Sequence, residues 1–544
     1  MKRAPRRPSE IRLAPARAAA PRVVAEVFGK RIVVAGNGKQ WTPADVTQAI
    51  RRLPTYRALL CVAELSRAEW QSRATTGAWS YTRHGTPVSE AILAEAALEA
   101  VLCSNDFREE PHGKAMRVIE DVLERIHGLT DEDLSAGNAL GALVRHDEKS
   151  FRFDRQLRAA IARLRFIFER VWPRLKKQVG RVKQPSEEYR LATGMSLDAT
   201  ANLAASCAVR SPGGVVHRED LLRWATAFVG DPEAGEALAA TFYSMFSASY
   251  AELRCQANCA RLHAPPRLSR YTFNPLKKWP LVRPEARVGC GAGDLILPLP
   301  RLLVERAGIG PFYDIAERHQ TAGGNDFRNA FGQALEAYVG DLLRSTPPRG
   351  DLEHSVVFES TNNEACDWLL LEADTAVAFE VKTSSIALEQ RRFGDMARLT
   401  AALEKSALRT ATSQLLRLRR SMEAEGIGPA CLRGRAIELV MVVFDAPAFA
   451  NAIFRRELEA HVGVEDQPFV DAIHIMSIEA FETLLMKHAG RSLFEVLRAK
   501  RLHPDHCQLD FEDWLALDGT PGPGRIHPLI ADLAGAGALK TSNA

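Results

Sequence analysis

The stretch "CDWLLLEADTAVAFEVKTSS", residues 366–385, places Asp367, Glu380 and Lys382 inside two runs of apolar residues. Strands with apolar neighbours on both faces are buried, and an ionised group is rarely buried without a partner or a metal. The three charges are therefore either a satisfied ion cluster or a site. A two-residue loop at Ala373-Asp374 makes the stretch a hairpin in which Glu372 faces Thr375. Counting back from that loop, Asp367 falls directly opposite Glu380, with Cβ atoms roughly 4.5–5.5 Å apart. Lys382 shares their face, about 6.6 Å along the strand from Glu380. A shift of one residue in the loop would send the carboxylates to opposite faces. Like charges set opposite one another destabilise a bare sheet, and a cation held between them removes that penalty. Oxygen ligands at about 2.0–2.1 Å suit Mg²⁺, with water and a substrate phosphate completing the octahedron. A lysine beside the metal is placed to orient the attacking water and to stabilise charge on the phosphate.

The elements around this hairpin alternate between helix and strand. The run "NDFRNAFGQALEAYVGDLLRS" (325–345) predicts a helix with Phe327, Phe331, Leu335, Tyr338 and Leu342 on one face. A strand follows in "EHSVVFES" (353–360), and the hairpin supplies two more. Next come a long helix around 395–425, the β-rich "AIELVMVVFD" (436–445), and "DAIHIMSI" (471–478) leading into the helix "EAFETLLMKH" (479–488).

These residues resemble the PD-(D/E)XK nuclease superfamily, whose members have the restriction-endonuclease-like fold. The signature is an acidic residue on one core strand and (D/E)-x-K on the next, here Asp367 and Glu380-Val381-Lys382. Cys366 stands where the family's name has proline, at a position that varies. The element order from about 326 to 445 matches the family's αβββαβ core. The resemblance implies a metal-dependent phosphodiesterase, a deoxyribonuclease and endonuclease first of all. Asp367 and Glu380 would bind Mg²⁺, with Mn²⁺ as a substitute, and Lys382 would position the water. It further implies a supporting glutamate on the first core helix, where Glu336 stands, and a glutamine on the helix after the lysine, where Gln414 stands. Restriction, repair and phage defence are all jobs this fold performs, so the fold does not set the biological role. The alternatives are an inactive nuclease fold that binds nucleic acid and a helical scaffold that binds a protein partner. A second (D/E)-x-K, Asp147-Glu148-Lys149, has polar surroundings and reads as a solvated loop or helix end.

Elsewhere the pattern is mainly helical. The chain of 544 residues is long enough for several domains. The reading is a disordered basic arm (1–22), a helical region (23–265), a Pro/Gly-rich basic-aromatic connector (266–310), the nuclease-like domain (311–500) and a partly loose tail (501–544). With 46% hydrophobic and 25% charged residues the composition is that of a globular protein. No apolar run reaches 18 residues, so no membrane span is expected, and the N-terminus lacks the apolar core of a secretory signal. The nine cysteines have no paired spacing, which points to a reducing, cytoplasmic setting. Cys255, Cys259 and His263 read as one helical stripe facing the core, since a zinc site needs a fourth ligand. "RIVVAGNGKQWT" (31–42) reads as a hairpin turning at Asn37-Gly38, not as a phosphate-binding loop.

The formal net charge is only +4, but residues 1–22 carry +6 and residues 152–183 carry +9, leaving −11 for the rest. Such concentration suits a polyanion, DNA before RNA. In "RQLRAAIARLRFIFERVWPRLKKQVG" (155–180), Leu157, Ile161, Leu164, Phe168, Val171 and Leu175 form one apolar stripe, and Pro173 kinks or ends the helix. Arg158, Arg163, Arg165 and Arg170 lie off that stripe and are candidates for phosphate contact. In the connector, Lys277 and Lys278 interleave with Tyr271, Phe273 and Trp279, a mixture that suits base stacking plus phosphate contact. A protein partner or a second copy of the chain remains open.

Overall fold

The structure is a computed structural model. It describes residues 22–27, 30–34, 41–76, 88–106, 109–129, 157–175, 182–264, 272–285, 291–321, 326–346, 350–358, 364–383, 407–423, 429–444, 467–470, 472–504, 506–517 and 526–536, with 401, 451 and 462–463. Strands β1 (Arg22–Val27) and β2 (Lys30–Val34) pair antiparallel. The hairpin therefore closes between Val27 and Lys30; the expected turn at Asn37-Gly38 lies outside the described residues. Helices Pro43–Ile50, Thr55–Thr76, Glu90–Cys103 and His112–His127 follow. Ile50, Leu59, Val101 and Ile119 meet in their common core.

Helix α1 (Leu157–Phe166) loosens into a π turn (Ile167–Val171) and then a 3₁₀ turn (Trp172–Leu175). Pro173 has no N–H to donate and its ring crowds the carbonyl four residues back, so an α-helix cannot run through it. Further helices carry the short strands β3 (Val215–Val216), β4 (Ser247–Ser249), β5 (Leu281–Arg283) and β6 (Leu295–Ile296), ordered β3-β6-β5-β4. Helix α2 (Tyr250–Leu262) opens with a capping box between Ser249 and Glu252.

The second half is α/β, so the chain is mainly helical with one four-stranded and one five-stranded sheet. Helix α3 (Asp326–Ser345) precedes strands β7 (Asp351–Val357), β8 (Glu364–Leu371) and β9 (Thr375–Lys382). Helix α4 (Ala407–Glu423), strand β10 (Ala436–Val443), strand β11 (Ile473–Ser477) and helix α5 (Ile478–Lys487) come next. Helices α6 (Phe511–Leu517) and α7 (Pro528–Ala536) close the described chain. The sheet order is β11-β10-β9-β8-β7. The β7–β8 and β8–β9 pairs are antiparallel; β9–β10 and β10–β11 are parallel. The parallel β9–β10 pair needs a long crossover, and α4 lies within it.

The sheet is covered on both faces. Trp368, Leu370, Val377, Phe379, Val440 and Val442 pack with Phe327, Phe331, Leu335, Tyr338 and Leu342 of α3. Leu369, Ala376, Ala378, Leu439 and Met441 pack with Ala411, Leu415 and Leu416 of α4. The five apolar residues expected on one face of α3 are all buried. Helix and sheet approach closest at Gly340, where an added Cβ would stand 2.1 Å from Cζ2 of Trp368. Gly340→Ala is therefore expected to lower the melting temperature. The overpacking cost of about 1–3 kcal/mol exceeds the roughly 1 kcal/mol that alanine gains over glycine in a helix. A thermal melt beside the wild type checks it.

Two sequence expectations change. Cys255, Cys259 and His263 do not face the core: both cysteines are exposed, and Tyr250, Leu253 and Ala257 are the buried stripe of α2. Ala257 and Cys259 are two positions apart, about 200° around a helix at 3.6 residues per turn, so only one of the two stripes can be inward. The tail beyond 505 is not loose where it is described: Phe511, Leu515, Ile530 and Leu533 enter the core beneath the five-stranded sheet. That same core takes Ala159, Leu164, Phe168 and Trp172 from the segment that begins with α1. Among the described residues no helix is long and apolar enough to cross a membrane.

Candidate active site

The hairpin fixes the geometry of the acidic pair. Its loop is Ala373-Asp374, and Glu372 N donates to Thr375 O at 2.9 Å, as the sequence expects. From there Leu370 faces Val377 and Trp368 faces Phe379, so the register extended by one pair sets Asp367 against Glu380. Hydrogen-bonded and non-bonded pairs alternate along an antiparallel ladder, and Val381 N is next due to bond Cys366. It donates instead to Asp367 Oδ2 at 2.7 Å. The aspartate thus takes over a backbone donor, and the recorded ladder stops one pair short of the two carboxylates.

Both carboxyl groups are nearly sealed from solvent, Asp367 6% and Glu380 1% exposed. Burial, then the neighbouring Glu380 charge, pushes the Asp367 carboxyl up to about 8, against the pull of Lys382. Burial also raises Glu380, again opposed by Lys382. Burial works to discharge Lys382, but the charges of Glu380 and Asp367 outweigh it and raise its affinity for a proton. Lys382 Nζ bonds Glu380 Oε1. Glu380 Oε2 is buried with no hydrogen-bond partner among the described residues. An unmet buried carboxylate oxygen is costly, and it calls for a ligand, an ion or water.

Glu336 of α3 belongs to the same neighbourhood, for its charge acts on Asp367, Glu380 and Lys382 alike. Its Oε1 lies 2.8 Å from His354 Nε2, and its main-chain carbonyl accepts from Trp368 Nε1 at 2.9 Å. Gln414 is half-buried on α4, and among the described residues no hydrogen bond joins it to Asp367 or Glu380. Asp147, Glu148 and Lys149 lie outside the described residues.

Sequence reasoning missed His354, Ser355 and Glu364. The His354 ring packs on Trp368 with centroids 4.2 Å apart. Ser355 has φ 51°, the only positive φ outside glycine among the described residues. Register pairs His354 with Trp368 and Val356 with Cys366, so Ser355 comes opposite Asp367 without joining the ladder. Left-handed backbone at a non-glycine residue costs about 1–3 kcal/mol and gathers at functional sites. Nothing in "EHSVVF" signals it. Glu364, at the start of β8, adds its charge to the push on Glu380; an acidic residue three before Asp367 was the available cue.

Among the candidate phosphate contacts, two are corrected. Arg163 is buried, bonded through Nε and Nη2 to Glu482 at 2.5 and 2.9 Å, and Tyr338 Oη donates to the same carboxylate at 2.7 Å. Arg165 is buried too, paired with Asp198 at 2.7 Å and Glu169 at 3.1 Å. Periodicity marks the most apolar stripe, but α1 is covered on several sides, by the sheet's core and by α7, so its polar flank is enclosed as well. Arg170 stays exposed, 3.9 Å from Asp532. Arg158 lies on α1, and its side chain is outside the described residues. Lys277 and Lys278 are partly exposed around a 3₁₀ turn, with Lys278 Nζ 5.1 Å from the Trp279 ring centroid and 3.9 Å from Glu317. Tyr271 lies outside the described residues.

Among the described residues no three His, Cys, Asp or Glu side chains stand together closely enough to hold a metal by protein ligands alone. Compared with protein-family models, curated proteins and solved structures, the chain has no match.

Proposed function

We propose that this chain is a metal-dependent phosphodiesterase acting on nucleic acid, DNA first, with a site like that of the PD-(D/E)XK nucleases. The observation that carries the reading is the buried pair Asp367–Glu380, whose Glu380 Oε2 has no partner among the described residues and whose neighbour is Lys382. Two buried acids that resist ionising, one with a vacant oxygen, fit a hard divalent cation such as Mg²⁺ or Mn²⁺. Mg²⁺ binds through one or two carboxylates plus water and substrate phosphate, so a pair of carboxylates is a sufficient contribution from the protein for that ion. When bound, the ion supplies Lewis-acid polarisation of the phosphate and acidifies water. Asp367 and Glu380 would hold it, and it would offset their mutual repulsion. Lys382, beside Glu380, would orient the nucleophilic water and stabilise the charge that develops on the phosphate. Glu336, braced by His354, keeps negative charge close to the lysine and helps hold it protonated.

The direct test is cleavage of supercoiled plasmid and of a single-stranded oligonucleotide in Mg²⁺, Mn²⁺ or EDTA. Cutting that needs the metal and vanishes in Asp367→Ala is the expected result. Metal-independent cutting, or cutting retained in Asp367→Ala, refutes the assignment. Absence of cutting together with no rise in melting temperature on adding Mg²⁺ favours a purely structural ion cluster.

The raised Asp367 carboxyl predicts a pH dependence of the metal-free protein. Its folded value of about 8 lies above the ordinary aspartate value of 3.8, so between those pH values the native state holds a proton that the unfolded chain has lost. Stability from this group is complete below about pH 4 and is lost as pH rises toward about 8. Melting in EDTA should show that decline, Asp367→Asn should flatten it, and Mg²⁺ should oppose it most at the alkaline end.

A further inference from the structure

A cleft of about 530 Å³ lies between the segment following α1, the end of α3 and α7. Arg170, Arg174 and Arg344 converge on it with Ser345, over the apolar side chains of Phe166 and Leu529; Asp341 and Asp532 are its only acids. The carboxylates do not saturate the guanidinium groups. Arg174 is clamped by Asp341 and by its own helix, Nε donating to Arg170 O at 3.1 Å. Arg344 Nη1 stands 3.6 Å from Asp341 and Arg170 Nη2 3.9 Å from Asp532, both beyond hydrogen-bonding distance. All three arginine side chains are more than half exposed. One clamped guanidinium beside two whose N–H donors are not taken up by these acids is suited to phosphate oxygens.

The cleft lies on the α3 side of the sheet, where one of its arginines meets a sheet residue. Arg344 sits over the Trp368 ring, 4.7 Å from its centroid. Trp368 follows Asp367 in the chain, bonds the Glu336 carbonyl and carries the His354 ring. Side chains alternate along a strand, so Trp368 faces α3 while Asp367 and Glu380 face the other way, and the cleft is a place apart from the acidic pair. We propose that the cleft holds phosphodiester backbone of the bound nucleic acid at a distance from the cut, with Arg170, Arg174 and Arg344 as its phosphate contacts. This rests on the nucleic-acid reading above, and it relocates the polyanion surface from the inner arginines of α1 to the segment that follows them.

Binding without cleavage separates the two ideas. Fluorescence anisotropy of a labelled 20-mer, single-stranded and duplex, is measured in EDTA at several salt concentrations. The proteins are wild type, Asp367→Ala, Arg170→Gln and the double variant Arg174→Gln/Arg344→Gln, each with its melting temperature. The double variant should bind about tenfold more weakly. Its log–log salt slope should be shallower by roughly 0.7 per lost contact on single strands and 0.9 on duplex. Arg170→Gln, with no hydrogen bond to break, should shift the slope by one contact without altering stability. Equal affinity and slope in every cleft variant would overturn the proposal while leaving the cleavage test untouched. So would a wild type that does not bind the 20-mer, or a mononucleotide that binds as tightly as the 20-mer.

Discussion

Lys382→Ala is expected to lower metal-dependent cleavage by about 10²–10³-fold, the cost of losing one group that stabilises transition-state charge in a dry site. The lysine is a quarter exposed and pairs with the buried Glu380, so its removal also leaves that carboxylate without its cation in the metal-free protein, a loss that a melt in EDTA reads separately from turnover. The loss should fall on kcat and persist at saturating Mg²⁺, because Asp367 and Glu380 still hold the ion. Lys382→Arg should rescue little: a planar fork does not replace a point charge. Asp367→Ala, by contrast, removes metal response and cleavage together. Single-turnover cleavage across a Mg²⁺ titration separates the two. Equal loss of metal affinity in both variants would contradict the roles assigned.

The largest stability effect is expected at Arg163. Arg163, Tyr338 and Glu482 are each almost wholly buried and satisfy one another. Burial opposes the charge on Arg163, yet the adjoining Glu482 carboxylate outweighs it and holds the guanidinium charged. Removing one member of such a pair strands a charge in the core and costs about 3–5 kcal/mol. Arg163→Ala should therefore shift the urea midpoint strongly downward. Adding Glu482→Leu should recover part of the loss, since it removes the stranded charge and leaves only the neutral Tyr338 hydroxyl without its acceptor. A double variant no better than Arg163→Ala would mean that the cavity, not the charge, carries the cost.

The hairpin was legible in the sequence because a two-residue loop leaves little freedom in register: placing Ala373-Asp374 placed Asp367 and Glu380. Helix α3 was legible for a similar reason, its five large side chains keeping strict helical spacing. The inner arginines were not. Spacing identifies the most apolar stripe of a helix, but how many neighbours cover the helix depends on α5 and α7, more than 300 residues away. Cys255 and Cys259 misled because cysteine usually behaves as a buried residue; the smaller Ala257 held the inward position. Ser355 left no trace, since its left-handed backbone is imposed by the bulged pairing of β7 with β8.

Arg165 also reaches the carbonyl of Leu533 at 3.4 Å, tying α1 to α7. The core under the sheet thus joins a helix made in the first third of the chain to one within its last 20 residues. During synthesis the helix nearer the N-terminus emerges first, yet the packing beneath the five-stranded sheet is finished only once α7 has also left the ribosome. Contacts of such long sequence separation form slowly. A chain interrupted before α7 leaves the side of α1 that α7 covers open to solvent.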